Sequence, residues 1–290
     1  MCRDERVGEV VGGALAEAGV DTEHRSVVPA DPGQVALIVV DRATREAEAD
    51  ALRDVGAPVV VVGDDLDDDG LITLMLEAPV SHLVKDPGDR DIAITSEKLV
   101  SGDVFGLEKY LAPDARVRER EVHDDIGKRA AIHEVTAWAE SIGARKPVVH
   151  RLASVIDELL MNALIDAPRE SKPLLSLDDT SSSRCALLRW AHDGQTIAIS
   201  VTDRFGAIRQ RDVIDHVRRA RRDSGAPNPA TTDEPGAGLG LYLVLSNVAS
   251  LIVNVDPGHQ TEVVCLFDLA NRDRRAIASG VRSLHVFQAP

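Results

Sequence analysis

Residues 147–167 read PVVHRLASVIDELLMNALIDA. Leu152, Val155, Ile156, Leu159, Leu160 and Ala163 recur at the i, i+3, i+4, i+7, i+8 spacing of an apolar stripe on one face of an α-helix. Glu158, Asn162 and Asp166 follow at intervals of four, so they stack along one side of that helix, beside the stripe. Polar groups at the margin of a core must be satisfied by solvent, by a neighbouring loop or by a ligand. By spacing alone, a solvated edge or bonding to neighbouring loops is a better account of the three residues than a site.

Downstream, CALLRWAH (185–192) and TIAISVTD (196–203) read as strands joined at Asp193–Gly194, a two-residue hairpin signal. Ile197, Ile199 and Val201 share one parity, and Asp203 falls on the same side. An inward acid at a strand end needs a hydrogen-bond donor. The amino group of adenine would serve, and so would the backbone of a turn that the acid caps. A long variable segment (207–235) leads to GAGLGL, where Gly236, Gly238 and Gly240 precede the apolar run Leu241, Leu243, Val244, Val248, Leu251. Backbone freedom concentrated there suits N–H groups drawn up against phosphate, and equally a hinge into a helix. No strand directly precedes the glycines, so a dinucleotide-binding fingerprint does not fit. LIVNVD (251–256) and TEVVCLFDL (261–269) complete a largely antiparallel sheet with helices on one side, an α+β two-layer sandwich.

In this order the motifs resemble the GHKL ATP-binding superfamily of gyrase, histidine kinases and MutL, over roughly residues 125–270. DELLMNALIDA resembles its N-box, VTDRFG its first glycine box and GAGLGL its second. The resemblance implies a Bergerat-type sandwich with ATP and Mg²⁺ as cofactors. Asn162 would bind the metal through its side-chain oxygen. Asp203 would read the adenine amino group, helped by Thr261 of GHQTEVVCLF through a water, with Gly206 in the first box. Gly236, Gly238, Leu239 and Gly240 would wrap the phosphates, and 207–235 would form the lid, bringing Arg209, Arg211, Arg218, Arg219, Arg221 and Arg222. Glu158 occupies the place where anti-sigma-factor serine kinases and gyrase-like ATPases carry a catalytic base. The helix pair ahead of the N-box is also similar to the anti-sigma kinases. Three features depart from the pattern. The first box reads Asp203, Arg204, Phe205, Gly206, Ala207 instead of D-x-G-x-G. Asp166, counted with the nucleotide-binding residues, stands where the kinases often have His or Lys. The lid is longer than in the small anti-sigma kinases.

Toward the other end, VALIVVD (35–41) and APVVVVG (57–63) are apolar, β-branched runs suited to strands buried on both faces. ATREAEADALRDVG between them predicts a helix ending at Gly56. Strand, helix, strand makes a βαβ unit, so residues 1–115 are expected to form a flavodoxin-like α/β domain. Asp41 at a strand end and Lys85 in HLVKDPG resemble a response-regulator receiver. Gly63 in place of Ser or Thr, and no apolar strand before Asp4–Glu5, make it a degenerate one suited to docking or dimerisation. The boundary is expected in the polar stretch APDARVRERE (112–121), leaving 116–290 to the ATP-binding domain.

The chain has 290 residues, 44% of them hydrophobic, and a net charge of −15 that opposes nucleic-acid and anionic-membrane partners. Cys2, Cys185 and Cys265 form no CxxC pair, and the charged start MCRDERVGEV has no apolar segment. A cytoplasmic signalling protein is therefore expected. The implied activity is phosphoryl transfer from ATP to Ser/Thr of a protein partner of the anti-sigma or anti-anti-sigma type, with a homodimer left open. Two alternatives stand beside it. One is a non-catalytic, nucleotide-gated scaffold. The other is a histidine-kinase-like protein using His123, whose HDDIG resembles a phosphoacceptor box. From His123 to Asn162 there are only about forty residues, little for two long dimerisation helices at 1.5 Å per residue. Asp124 or Asp125 as a helix cap explains the same letters.

Overall fold

The computed structural model describes residues 1–25, 27–28, 35–63, 70, 73–74, 80–86, 90–170, 185–209, 213, 239–269 and 281–289. The chain divides into two compact units, Met1–Val104 with Arg282–Phe287, and Phe105–Val281 with Gln288–Pro290. The return of the C-terminal strand to the first unit differs from a single boundary near residue 115. No helix among the described residues is long and apolar enough to cross a membrane.

The first unit runs α1 (Glu5–Glu17), β1 (Ile38–Asp41), α2 (Arg42–Ala47), α3 (Ala49–Asp54), β2 (Val59–Val62), β3 (Val80–Val84) and α4 (Arg90–Ser101). The helix expected between the first two strands is two short ones, interrupted at Glu48, and Gly56 follows with φ 68°. β1, β2 and β3 pair in parallel, and β1 and β2 are buried at every position, as continuous Val/Ile runs require. Val11 and Leu15 of α1 and Ile92 of α4 pack with Val39, Val60, Val62 and Val84.

The last strand, Ser283–Gln288, pairs antiparallel with β3 through His82↔His285. It brings polar side chains inside: the Lys98 ammonium lies 3.8 Å from the centre of the Phe287 ring, and the Ser283 hydroxyl donates to Asp91. Burial, reinforced by Lys98, pushes His285 down to about 3, so its imidazole is neutral.

The second unit comprises β4 (Arg118–Val122), α5 (Asp125–Ser141), α6 (Lys146–Met161), β5 (Ala186–His192), β6 (Thr196–Asp203), α7 (Leu239–Asn247), β7 (Ser250–Asp256) and β8 (Gln260–Asp268). The final strand Ser283–Gln288 is then β9. The sheet order β7-β8-β6-β5-β4 is antiparallel throughout. The β5–β6 connection takes three residues, with Asp193 Oδ1 accepting from the N–H groups of Gln195 and Thr196. α5 and α7 both pack on α6, and α6 packs on β6.

One expectation needs adjustment: β6 is covered on both faces. Ala198 and Ser200 are as buried as Ile197 and Ile199. Arg189, paired with Ser200, reaches Glu108 at 3.2 Å, and Glu262, paired with Thr202, accepts from the Gly106 N–H at 2.8 Å. Residues 105–110, including the 3₁₀ turn Leu107–Tyr110, therefore belong to this unit and cover the second face.

Candidate functional site

The stripe on α6 is buried from Val148 to Leu160, so core packing fixes the rotation of this helix about its axis. That rotation leaves Glu158 and Asn162 half-buried at its margin and Asp166 exposed. At Asn162 the helix widens. The Ala167 N–H donates to the Asn162 carbonyl, and Asn162–Asp166 form a π-helical turn beside β6. Such turns sacrifice regular hydrogen bonding and concentrate at functional sites.

Glu158 holds its proton more tightly than an ordinary glutamate. Burial is the main cause, the charges of Asp157 and Asp166 add to it, and Lys128 opposes. Lys128 is itself 8% exposed, with its ammonium 2.8 Å from Asp157 and 3.5 Å from Asp125. Burial disfavours its charge, but the two carboxylates outweigh that and raise its pKa. Against Glu158 stands the first turn of α7, where a Cβ at Gly240 would overlap the Glu158 Oε2. Here glycine serves a close approach, backbone against carboxylate.

Asp203 and Thr261 end paired strands and face each other in the β6/β8 register. Asp203 is 5% exposed, and its Oδ1 accepts from the Phe205 N–H at 2.8 Å. Burial lifts its pKa to about 6, only partly offset by the backbone N–H groups of Phe205, Gly206 and Thr261. The Thr261 hydroxyl is close enough to favour the carboxylate, yet it is buried without completing a hydrogen bond. A buried polar atom left unpaired costs about 1–3 kcal/mol, so its presence calls for a reason. Phe205 turns inward and is 4% exposed. Gly206, at φ 55°, lies against the β7–β8 turn, where a Cβ would strike the Asp256 carbonyl and come within 2.7 Å of the Gly258 nitrogen.

Asp203 with Thr261, and Glu158 with Gly240, are thus brought together in pairs. Leu239 opens α7. Gly236, Gly238 and the lid arginines Arg211, Arg218, Arg219, Arg221 and Arg222 lie outside the described residues; Arg209 is described and exposed. His123 sits in extended chain between β4 and α5, not on a helix, and Asp124 caps α5 by accepting from the Gly127 N–H at 2.7 Å. The Lys128–Asp157 pair escaped the sequence reading, because nothing local links two residues that meet only when α5 packs on α6.

In the first unit Asp41, the last residue of β1, is in register with Val62 and, through it, Val84, and Gly63 and Lys85 follow those two at the carboxyl ends of β2 and β3. Asp41 there caps α2, its Oδ1 accepting from the Thr44 N–H at 2.7 Å, while Oδ2 accepts from the Asp4 N–H at 2.8 Å. Comparison with models of known families and with curated proteins finds no match to this chain.

Proposed function

We propose that the second unit is a GHKL-type ATP-binding module that transfers phosphate from ATP to a Ser/Thr hydroxyl of a protein partner. The observation that carries this reading is the buried Asp203 carboxyl, lifted to about 6 because its hydrogen bonds do not offset its burial, beside the orphan hydroxyl of Thr261. An amino group on a purine, with one bridging water, supplies what both atoms lack.

The donor set at the other end fits the same ligand. Asn162 offers a neutral oxygen at a widened, half-exposed helical turn, suited to a hard cation that keeps most of its waters. Mg²⁺ bound there would neutralise charge on the transferring phosphoryl group. Glu158 would take the proton of the acceptor hydroxyl, and its raised pKa moves it toward neutral operating pH. Gly240 keeps the start of α7 free of a side chain, so N–H groups at a positive helix end can approach the anion.

Glu158→Ala and Asn162→Ala should each lower partner labelling from radiolabelled ATP by about 100-fold or more, with Glu158→Ala retaining ATP binding. Equal labelling by wild type and both variants would remove the catalytic roles. The inward Phe205 favours a second reading, a scaffold whose adenine pocket has been filled. Calorimetry with a non-hydrolysable ATP analogue and Mg²⁺ separates the two, since the scaffold gives no heat of binding. The receiver-like first unit then serves docking, because its strand-end carboxylate is already engaged by backbone N–H groups.

A further inference from the structure

Beside the nucleotide-site residues, but sharing none of them, the second unit gathers three metal-ligating side chains. Glu121, His123 and Cys185 each offer one ligand atom, and all three atoms lie within 4.8 Å of one another. The Glu121 Oε2 and His123 Nε2 are 3.7 Å apart. The sheet ladder creates this grouping. β4 and β5 are antiparallel and end their register at Val122↔Ala186. His123 follows Val122 and Cys185 precedes Ala186, so the two stand just past the end of the ladder, next to its last pair. Glu121, two residues before His123 in extended chain, falls on the same face.

We propose that Glu121, His123 and Cys185 bind a thiophilic divalent cation, Zn²⁺ above all, with a fourth position open to water. The donor set selects the metal: one thiolate, one imidazole and one carboxylate suit zinc, whereas Mg²⁺ and Ca²⁺ require oxygen throughout. Bonds of about 2.0–2.3 Å at tetrahedral angles place ligand atoms roughly 3.3–3.7 Å apart. The Glu121–His123 distance already meets that spacing. Closing the remainder needs about an ångström of rotation, open to Glu121 and His123, whose side chains are 59% and 63% exposed. Charge agrees as well, since a thiolate and a carboxylate match a dication.

Without the ion, burial chiefly, and then the Glu121 charge, keep the Cys185 thiol protonated, against Arg204 and the Val122 N–H. The cation displaces that proton, so S–H breaks as the S–metal bond forms and one proton enters solvent. The bound ion would fasten edge strand β4 to the start of β5.

The test uses the full chain without a histidine tag. Elemental analysis after dialysis against micromolar Zn²⁺ should find one ion per chain, calorimetry in two buffers should find proton release, and the thermal midpoint should rise with Zn²⁺. Co²⁺ in place of Zn²⁺ should give a thiolate charge-transfer band that Cys185→Ser abolishes and Cys2→Ser leaves intact. His123→Ala and Glu121→Gln alter exposed side chains and cannot fail merely by unfolding; each should weaken binding by about tenfold or more. No saturable Zn²⁺ binding, or binding unchanged in His123→Ala and Glu121→Gln, overturns the proposal. These readouts use no ATP, so failure of the metal proposal is distinguishable from failure of the proposed kinase activity.

Discussion

Asp41 and Asp203 each end a buried strand, each is 5% exposed, and each accepts from a backbone N–H of the turn that follows. Their acidities nevertheless move in opposite directions. At Asp41 burial favours the neutral acid, but N–H groups of Asp4, Thr44 and Arg3 and the Thr44 side chain outweigh it and lower the pKa. At Asp203 burial prevails and the pKa rises to about 6. Equal exposure of the whole residue therefore does not mean equal desolvation of its carboxylate. Three backbone N–H groups and a threonine side chain favour each carboxylate, so what separates the two is desolvation, which those donors outweigh at the Asp41 cap and fail to offset at Asp203.

The largest effect expected from this contrast is at Asp203. Asp203→Asn should lower ATP affinity by about 100-fold, since it replaces an acceptor oxygen with an amide that repels the purine amino group. It should also stabilise the ligand-free protein above pH 6 by an amount on the order of 2–3 kcal/mol. The sign follows from the raised pKa. Protonated Asp203 contributes stability below 3.8, and that contribution is lost as pH rises through about 6. Urea unfolding at several pH values should show the gap between the proteins opening across that window. A variant that loses stability at pH 8 would make Asp203 a structural residue like Asp41.

Asp41→Ala comes next, with a loss of about 1–2 kcal/mol at neutral pH, because a helix cap and the tie to Asp4 both go. Its pH dependence is opposite. The lowered pKa makes the contribution complete above 3.8 and lost as pH falls through the folded value. ATP affinity should not change, and acetyl phosphate should leave no hydroxylamine-labile acyl phosphate on the wild-type chain by mass spectrometry. Phosphorylation at Asp41 would break the comparison, since it requires an available carboxylate oxygen.

Thr261→Val should have the smallest effect. Removing an unpaired buried hydroxyl at constant shape should leave stability unchanged or raise it by about 1 kcal/mol at most, while ATP affinity falls several-fold. Equal ATP affinity in wild type and variant would mean that the hydroxyl has no ligand to serve.

Much of this was legible in local pattern. The buried face of α6 is the stripe read at Leu152, Val155, Ile156, Leu159, Leu160 and Ala163, and β1 and β2 are the Val-rich runs. Asp203 was readable as inward from its parity with Ile197, Ile199 and Val201. Other features left no local trace. SLHVFQ carries nothing to say that it pairs with β3, some two hundred residues earlier, or that His285 meets His82. The widening at Asn162 and the close approach of Gly240 to Glu158 are likewise absent from any periodicity.

By itself, then, the sequence determined which faces are apolar, where helices cap and which strand ends carry acids, because these depend on neighbours three or four residues away. Tertiary structure alone decided that hydrogen bonds outweigh burial at Asp41 and not at Asp203, that Lys128 reaches Asp157, and that Glu121, His123 and Cys185 share one corner. Those outcomes depend on which donors and charges arrive from distant segments and on how far the carboxylate is removed from water, and a carboxylate's chemistry is set by that balance rather than by its own position in the chain.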